Sequence, residues 1–345
     1  MKKRETELDI LRLIAMMAVI WVHVGGMGTS KLPTSAPDCQ WLIFLKSIMT
    51  WQIPIYVMIS GRFFLDPDRQ MPFSKIMKSV GRLVLAFVIW NIVYQIFYIL
   101  TDSYAGLNWK GVLSQGLIGP YHFWYLYMII GMYLITPLLR KIAEDKKLSE
   151  YFIILFFIFS FLTKYGSEFP FVGGTVDAML DNMNMEFVLG YTGYYILGYY
   201  LRKFPISGKW ERLLYICSIA MLVFGASANT FCSIQEGVYT ERFTGYTNPN
   251  TIIIAVAVYT LFIKRIGKIA FSKQTIGLIT KLSECSFGVY LVHALILDVF
   301  ALTGLKPTFL HPVLAMPLIT ILTFAVGVTI VVMIRKLPKV GVKIT

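Results

Sequence analysis

Ten apolar runs, at 8–27, 41–65, 81–101, 121–139, 150–166, 186–202, 212–232, 249–265, 283–304 and 310–335, account for nearly all of this chain. Each is about as long as a helix needs to cross a bilayer, roughly 20 residues. Inside hydrocarbon the backbone must satisfy its own N–H and C=O groups, so such runs admit helices and little else. With 57% apolar residues over 345 positions and a mean hydropathy of +0.66, little composition remains for a soluble domain. The expectation is an all-α integral membrane bundle of about ten transmembrane helices, a single domain over 1–345, multi-pass in the cell membrane.

A formal charge of +13 would suit a nucleic-acid binder, but its placement says otherwise. About 24 of the 32 Lys and Arg flank alternate span ends. MKKR, then Arg69, Lys75, Lys78 and Arg82, then RKIAEDKK, then Arg202, Lys203, Lys209 and Arg212, then Lys264–Lys281 and Arg335–Lys343 fall on one side. The other loops hold Lys31, Lys110, Lys164, Arg242 and Lys306. Six rich flanks alternating with five poor ones predict an even number of spans with both termini cytoplasmic. The basic surface then faces anionic lipid headgroups, and no nucleic-acid partner is expected. Met1–Arg4 reads as a basic head to the first span, with no small-residue cleavage site after it. Trp21, Trp41, Trp109, Trp124 and Trp210 lie near span ends, as an interfacial belt requires. No broken helices stand out. Cys39, Cys217, Cys232 and Cys285 show no metal-ligand spacing; sidedness alone permits a Cys39–Cys232 disulfide.

The first span, ELDILRLIAMMAVIWVH, carries Arg12 and His23. Eleven residues is within roughly 20° of three full helical turns, so both side chains share a stripe, about 16 Å apart along the axis. Ionisable groups kept in a span face the bundle interior or a water-filled cavity and mark a pathway. Asp9, three residues before Arg12, can pair with its guanidinium. The first helix is thus expected to wall a polar passage. His293 and Asn91 each fall about ten residues into their spans, near mid-depth, and His122 opens the fourth span on the outer side. At the cytoplasmic entrance Lys75, Lys78 and Arg82, spaced i, i+3, i+7, form a cationic stripe that suits phosphate groups. They serve equally well as membrane anchors. His122 and His311 can be ordinary interfacial residues, His293 a packing histidine, and the HFWYLY and GYYILGYY runs packing and belt. No Walker loop or Rossmann glycine pattern is present. The outer loops 165–186 and 228–250 hold Glu168, Asp177, Asp181, Glu236, Glu241 and Arg242 beside Tyr239 and Tyr246, a set that suits sugars but also any exposed loop.

The segments LDILRLIAMMAVIWVH, PIYVMISGRFFL, HFWYLYMIIGMYLITPLLR, GYYILGYYLRK and SFGVYLVH, in that order, resemble the acyltransferase-3 family of membrane acyltransferases. The resemblance spans about residues 7–335, and the HFWYL-type span is most similar to the stand-alone sugar O-acetyltransferases. It implies transfer of an acyl group, commonly acetyl, from cytoplasmic acetyl-CoA to a hydroxyl of a surface glycan or lipid-linked sugar. It implies His23 as catalytic histidine and Arg12 as its partner, and the positions of Asp9 and His293 in their spans add both to the catalytic set. Lys78 and Arg82 stand where many members have paired arginines; Lys at the first position departs from that pattern. Arg12, Lys75, Lys78 and Arg82 would hold the donor, and Asn91, His122, Trp124 and Tyr125 the acceptor, with no metal. Members with a fused soluble domain differ from this chain, so a second copy or a glycan-assembly protein are the partners to consider.

In that scheme His23 is a general base or an acyl carrier, and His293, Asn91 or His122 donates to the developing oxyanion. The pantetheine arm would thread from Arg12 toward His23. A rival reading is a transporter or flippase whose conduit is lined by Arg12, His23 and His293. A third is a non-catalytic partner in polysaccharide assembly.

Overall fold

The structure is a computed structural model that describes residues 4–104, 108–166, 171–337 and 341–345, without the side chains of 186–188 and 343. Lys2, Lys3, Glu168 and Lys339 lie outside the described residues. The described residues form an all-α bundle, with no strand among them. In chain order the helices are α1 (Thr6–Thr29), α2 (Pro37–Ser47), α3 (Gln52–Phe64), α4 (Phe73–Leu100), α5 (Trp109–Ile118), α6 (Trp124–Glu144) and α7 (Lys146–Tyr165). Then come α8 (Gly173–Met183), α9 (Met185–Lys203), α10 (Gly208–Glu236), α11 (Pro249–Lys264), α12 (Lys273–Leu302) and α13 (Pro312–Arg335). Among the described residues nine stretches are long and apolar enough to span a membrane, α2 and α3 counting as one. The remaining long element, α9, coincides with the expected run at 186–202 and is kinked at Gly190.

Helix α1 sits at the centre, packed against α2, α3, α11, α12 and α13. Its Leu8, Leu11, Ala15, Met16 and Ile20 are fully buried. The outermost helices show the inverse pattern. On α4, Val84, Val88, Ile92, Ile96 and Ile99 form an exposed apolar stripe at steps of three and four, the face a helix offers to lipid. Trp21 does not join the aromatic belt. Its indole Nε1 donates to the Leu45 carbonyl at 2.6 Å, tying α1 to α2.

The tightest crossing joins α3 to α9. A Cβ on Gly61 would overlap the Tyr195 carbonyl, and a Cβ on Gly198 would overlap the Met58 carbonyl. Two glycines therefore let each backbone touch the other reciprocally, as small residues do between membrane helices. The Tyr259 hydroxyl donates to the Gly198 carbonyl at 2.8 Å and locks α11 onto the same crossing.

The run expected as one span over 41–65 is interrupted between Ser47 and Gln52. Pro54, third residue of α3, has no N–H to return to the Thr50 carbonyl, which weakens the helix at this point. The freed groups are served locally: Thr50 Oγ1 donates to the Ser47 carbonyl and Trp51 Nε1 to the Ile48 carbonyl, each at 3.1 Å. Hydropathy alone does not register this break.

One end of the bundle is a lattice of ion pairs. Arg62 pairs with Glu5 (2.9 Å) and Asp66 (3.1 Å), Arg202 with Glu5 (3.3 Å) and Glu7 (3.5 Å), and Lys264 and Arg265 with Glu211 (2.5 and 2.9 Å). Arg140 caps the chain after α3, donating to the carbonyls of Phe64, Asp66 and Arg69 at 2.8–3.1 Å. Here this end is called the basic end. All four cysteines are free, Cys39 and Cys232 included, so the permitted Cys39–Cys232 disulfide is not present.

Candidate functional site

Among the described residues, two of the cavities hold expected site residues, and they share no lining residue. The one nearer the basic end, about 370 Å³, is lined by Arg12, Tyr56, Arg82, Tyr125, Ser286 and Tyr290 among others. The one at the far end, about 250 Å³, is lined by His23, Ser30, Lys31, Tyr121, Asp298 and Lys306 among others. Among the described residues no one cavity is lined by both Arg12 and His23, the two ends of the expected passage. Tyr125 lies against Tyr56 (6.2 Å between centroids) and Tyr290 (5.5 Å), and all three line the near cavity.

Arg12 is held firmly at the near cavity. Its Nη1 donates to Asp9 Oδ1 at 2.9 Å and to Ser283 Oγ at 3.0 Å, while Ser283 Oγ donates to the same Asp9 oxygen at 2.8 Å. Arg4 Nε completes the set on Asp9 Oδ2 at 2.6 Å, and that hydrogen bond holds the Arg4 guanidinium pKa above its ordinary value. Asp9 and Ser283 occupy only one nitrogen of Arg12, leaving donors of a planar fork for an anion. Across the cavity Arg82 donates to the Thr345 carbonyl at 3.0 Å and lies 5.6 Å over the Phe287 ring.

Beyond the Tyr290 ring lie three histidines. Ring centroids are 5.1 Å apart for His23 and His293, 4.9 Å for His122 and His293, and 6.5 Å for His23 and His122. Tyr290 stands 5.9 Å from His293 and 5.5 Å from His122. His122 and His293 are 1% and 0% exposed, whereas half-buried His23 opens to the far cavity. Three separate helical segments supply the trio: α1, the 3₁₀ turn Tyr121–Phe123 leading into α6, and α12.

The hydrogen bonds assign chemistry to the pair behind His23. His293 Nδ1 lies 2.6 Å from the Tyr290 carbonyl, which can only accept, so Nδ1 carries the proton. In the neutral ring Nε2 is then a bare acceptor, and it has no partner among the described residues. This removes neutral His293 from the candidates for donating to an oxyanion. Neither nitrogen of His122 makes a close hydrogen bond among the described residues, and the nearest backbone acceptor is that of Leu291. A neutral imidazole always keeps one N–H, so His122 has a donor to give. Among the described residues no group of three His, Cys, Asp or Glu side chains is arranged to hold a metal ion.

The remaining sequence candidates scatter. Lys75 and Lys78 are exposed and outside both cavities; the wall of the near cavity begins one turn deeper, at Ser79 and Arg82. Asn91 is a strut and not a cavity residue. Its Nδ2 donates to the Gly116 carbonyl and its Oδ1 accepts from Gln95 Nε2 at 3.0 Å, which pins α5 to α4. Trp124 points to the far end, stacked on Tyr246 at 5.6 Å beside a groove of about 400 Å³, while its neighbour Tyr125 turns to the near cavity. Sequence reasoning passed over Tyr121, Tyr290 and Asp298. The first two sit in aromatic-rich runs where nothing distinguishes them. Asp298, an acid inside LILDVF, was the signal available.

A family model described as an acyltransferase domain, that of the acyltransferase-3 family, matches residues 5–332. Neither the curated proteins nor the solved structures contain a match to this chain.

Proposed function

This chain belongs to the acyltransferase-3 family and is a multi-pass membrane acyltransferase, and on that footing we propose that it moves an acetyl group from cytoplasmic acetyl-CoA to a hydroxyl of an extracytoplasmic or lipid-linked glycan. The observation that carries the reading is the chain of rings from one cavity to the other: Tyr290, His293 at 5.9 Å, then His23 at 5.1 Å. A donor from one side and an acceptor from the other thus need cross only one layer of side chains to meet.

The basic end faces the cytoplasm in this proposal, as the Lys and Arg distribution requires. Phosphates of the donor lie on Arg12 and Arg82, and the thioester reaches toward Tyr290, whose ring moves aside. His293 Nε2 accepts an N–H from His23 and so leaves the other nitrogen of His23 bare. That nitrogen takes the proton of the acceptor hydroxyl as its oxygen attacks the thioester carbonyl. An N–H of His122 meets the negative charge that develops on the carbonyl oxygen. The C–S bond then breaks, and the departing thiolate recovers the proton from His23. A covalent acyl-His23 is the second route open to the same residues.

The test is transfer of label by the purified protein from acetyl-CoA to cell-envelope glycan, with His23→Ala as control. Label must appear on the glycan as an ester and vanish in the variant. Glycan movement that proceeds without acyl-CoA, yet is blocked by His23→Ala, would instead establish a conduit.

A further inference from the structure

The far cavity holds an acidic group for which acyl transfer has so far found no task. Asp298 follows His293 by five residues on α12, roughly 7.5 Å farther along the axis toward the cavity mouth. Its Oδ2 is cut off from solvent and has no hydrogen-bond partner among the described residues. Lys31 and Lys306 line the same cavity, but both are exposed, whereas Asp298 is half-buried. A desolvated carboxylate oxygen without a donor is costly to keep, so a missing donor belongs beside it. At about 250 Å³ the cavity has room for one sugar unit of an acceptor, and its lining brings the His23 imidazole, the Tyr121 phenol and this carboxylate to one space beside Ser30 and the two lysines.

Resting on the reading that the acceptor enters here, we infer that Asp298 accepts a hydrogen bond from a second hydroxyl of the acceptor and so turns the first toward His23. Asp298 is then a positioning residue that selects polyols with neighbouring hydroxyls over simple alcohols. Hydroxyls match a lone carboxylate because each donates one short charge-assisted bond. A site built to bond a hydroxyl discriminates strongly against a ligand that lacks it.

The experiment supplies purified protein with acetyl-CoA and either glycerol or 1-propanol, and measures acetate, acetylglycerol and propyl acetate together. Wild type is expected to favour glycerol over 1-propanol by about tenfold or more. Asp298→Ala should bring that ratio close to one and raise KM for glycerol. Asp298→Asn, which keeps one acceptor oxygen, should fall between, and Asp298→Glu should recover part of the preference. A general structural lesion would lower all three products by one factor and leave the ratios fixed; that result overturns the inference. So does a wild type that shows no preference while still releasing acetate. Failure of the wild type to consume acetyl-CoA at all strikes the acyl-transfer reading itself and removes this one with it.

Discussion

The unprotonated Nε2 of His293 faces no partner among the described residues, while the His293 ring lies 5.1 Å from that of His23. The Tyr290 carbonyl fixes this arrangement by claiming Nδ1. The pair therefore has a built-in direction: His293 can receive an N–H from His23 and cannot, while neutral, offer one back. His23→Ala should lower acetyl transfer by at least about 10²-fold while acetyl-CoA binding persists. Turnover and donor binding measured on the same detergent-purified sample check this. Equal loss of both would mean that the residue is structural.

Arg12 and Lys78 distinguish the proposed donor site from a merely basic surface. Arg12 lines the near cavity with its fork partly free, whereas Lys78 is exposed outside it. Arg12→Ala should weaken acetyl-CoA binding by about tenfold or more, the scale of a charge-assisted hydrogen bond. Lys78→Ala should leave it within about twofold, as surface charges usually do. Titration calorimetry with acetyl-CoA distinguishes them, and the reverse order would move the donor to the cationic stripe on α4.

Tyr290 lies between the near cavity, which it lines, and the two buried histidines. Its hydroxyl donates to the His122 carbonyl, and its ring touches both buried histidines. Tyr290→Ala should join the two spaces and let water reach the thioester. The expected outcome is more acetate released per acetyl group transferred, read by product analysis with and without acceptor. An unchanged product ratio would show that the partition lies elsewhere.

The crossing of α3 and α9 gives a stability prediction independent of chemistry. Gly61→Ala and Gly198→Ala each place a methyl group inside a neighbouring backbone carbonyl, and overpacking of this kind typically costs about 1–3 kcal/mol or more. Gly81→Ala on α4 meets nothing within 4 Å and should be neutral or mildly stabilising. Thermal unfolding in detergent compares the three. Equal midpoints would remove the reciprocal contact from the fold's essential parts.

Hydropathy located each long helix, because crossing lipid leaves a signature about 20 residues long that loops cannot imitate. It did not reveal the interruption before Gln52, to which the missing N–H of Pro54 contributes. Among site residues, Arg12 with Asp9 was readable because three residues on one helix fix their proximity. Depth placed His23, His122 and His293 in the middle and outer parts of the bundle, but their meeting depends on how α1, α6 and α12 are rotated about their axes. Asn91 misled for the same reason: a polar residue at mid-depth can serve a neighbouring helix as well as a ligand. Lys75, Lys78 and Arg82 share a stripe, yet only Arg82 reaches deep enough to meet the hollow beneath.

The unbroken layer of Tyr290, His122 and His293 has a bearing on energy as well as on chemistry. Two aqueous vestibules that fused, however briefly, would offer protons a path down any gradient held across the bilayer. In the proposed reaction, keeping them apart lets a base be presented to one compartment and a thioester to the other while the membrane stays electrically sealed. An enzyme of this design can work on an energised membrane without discharging it.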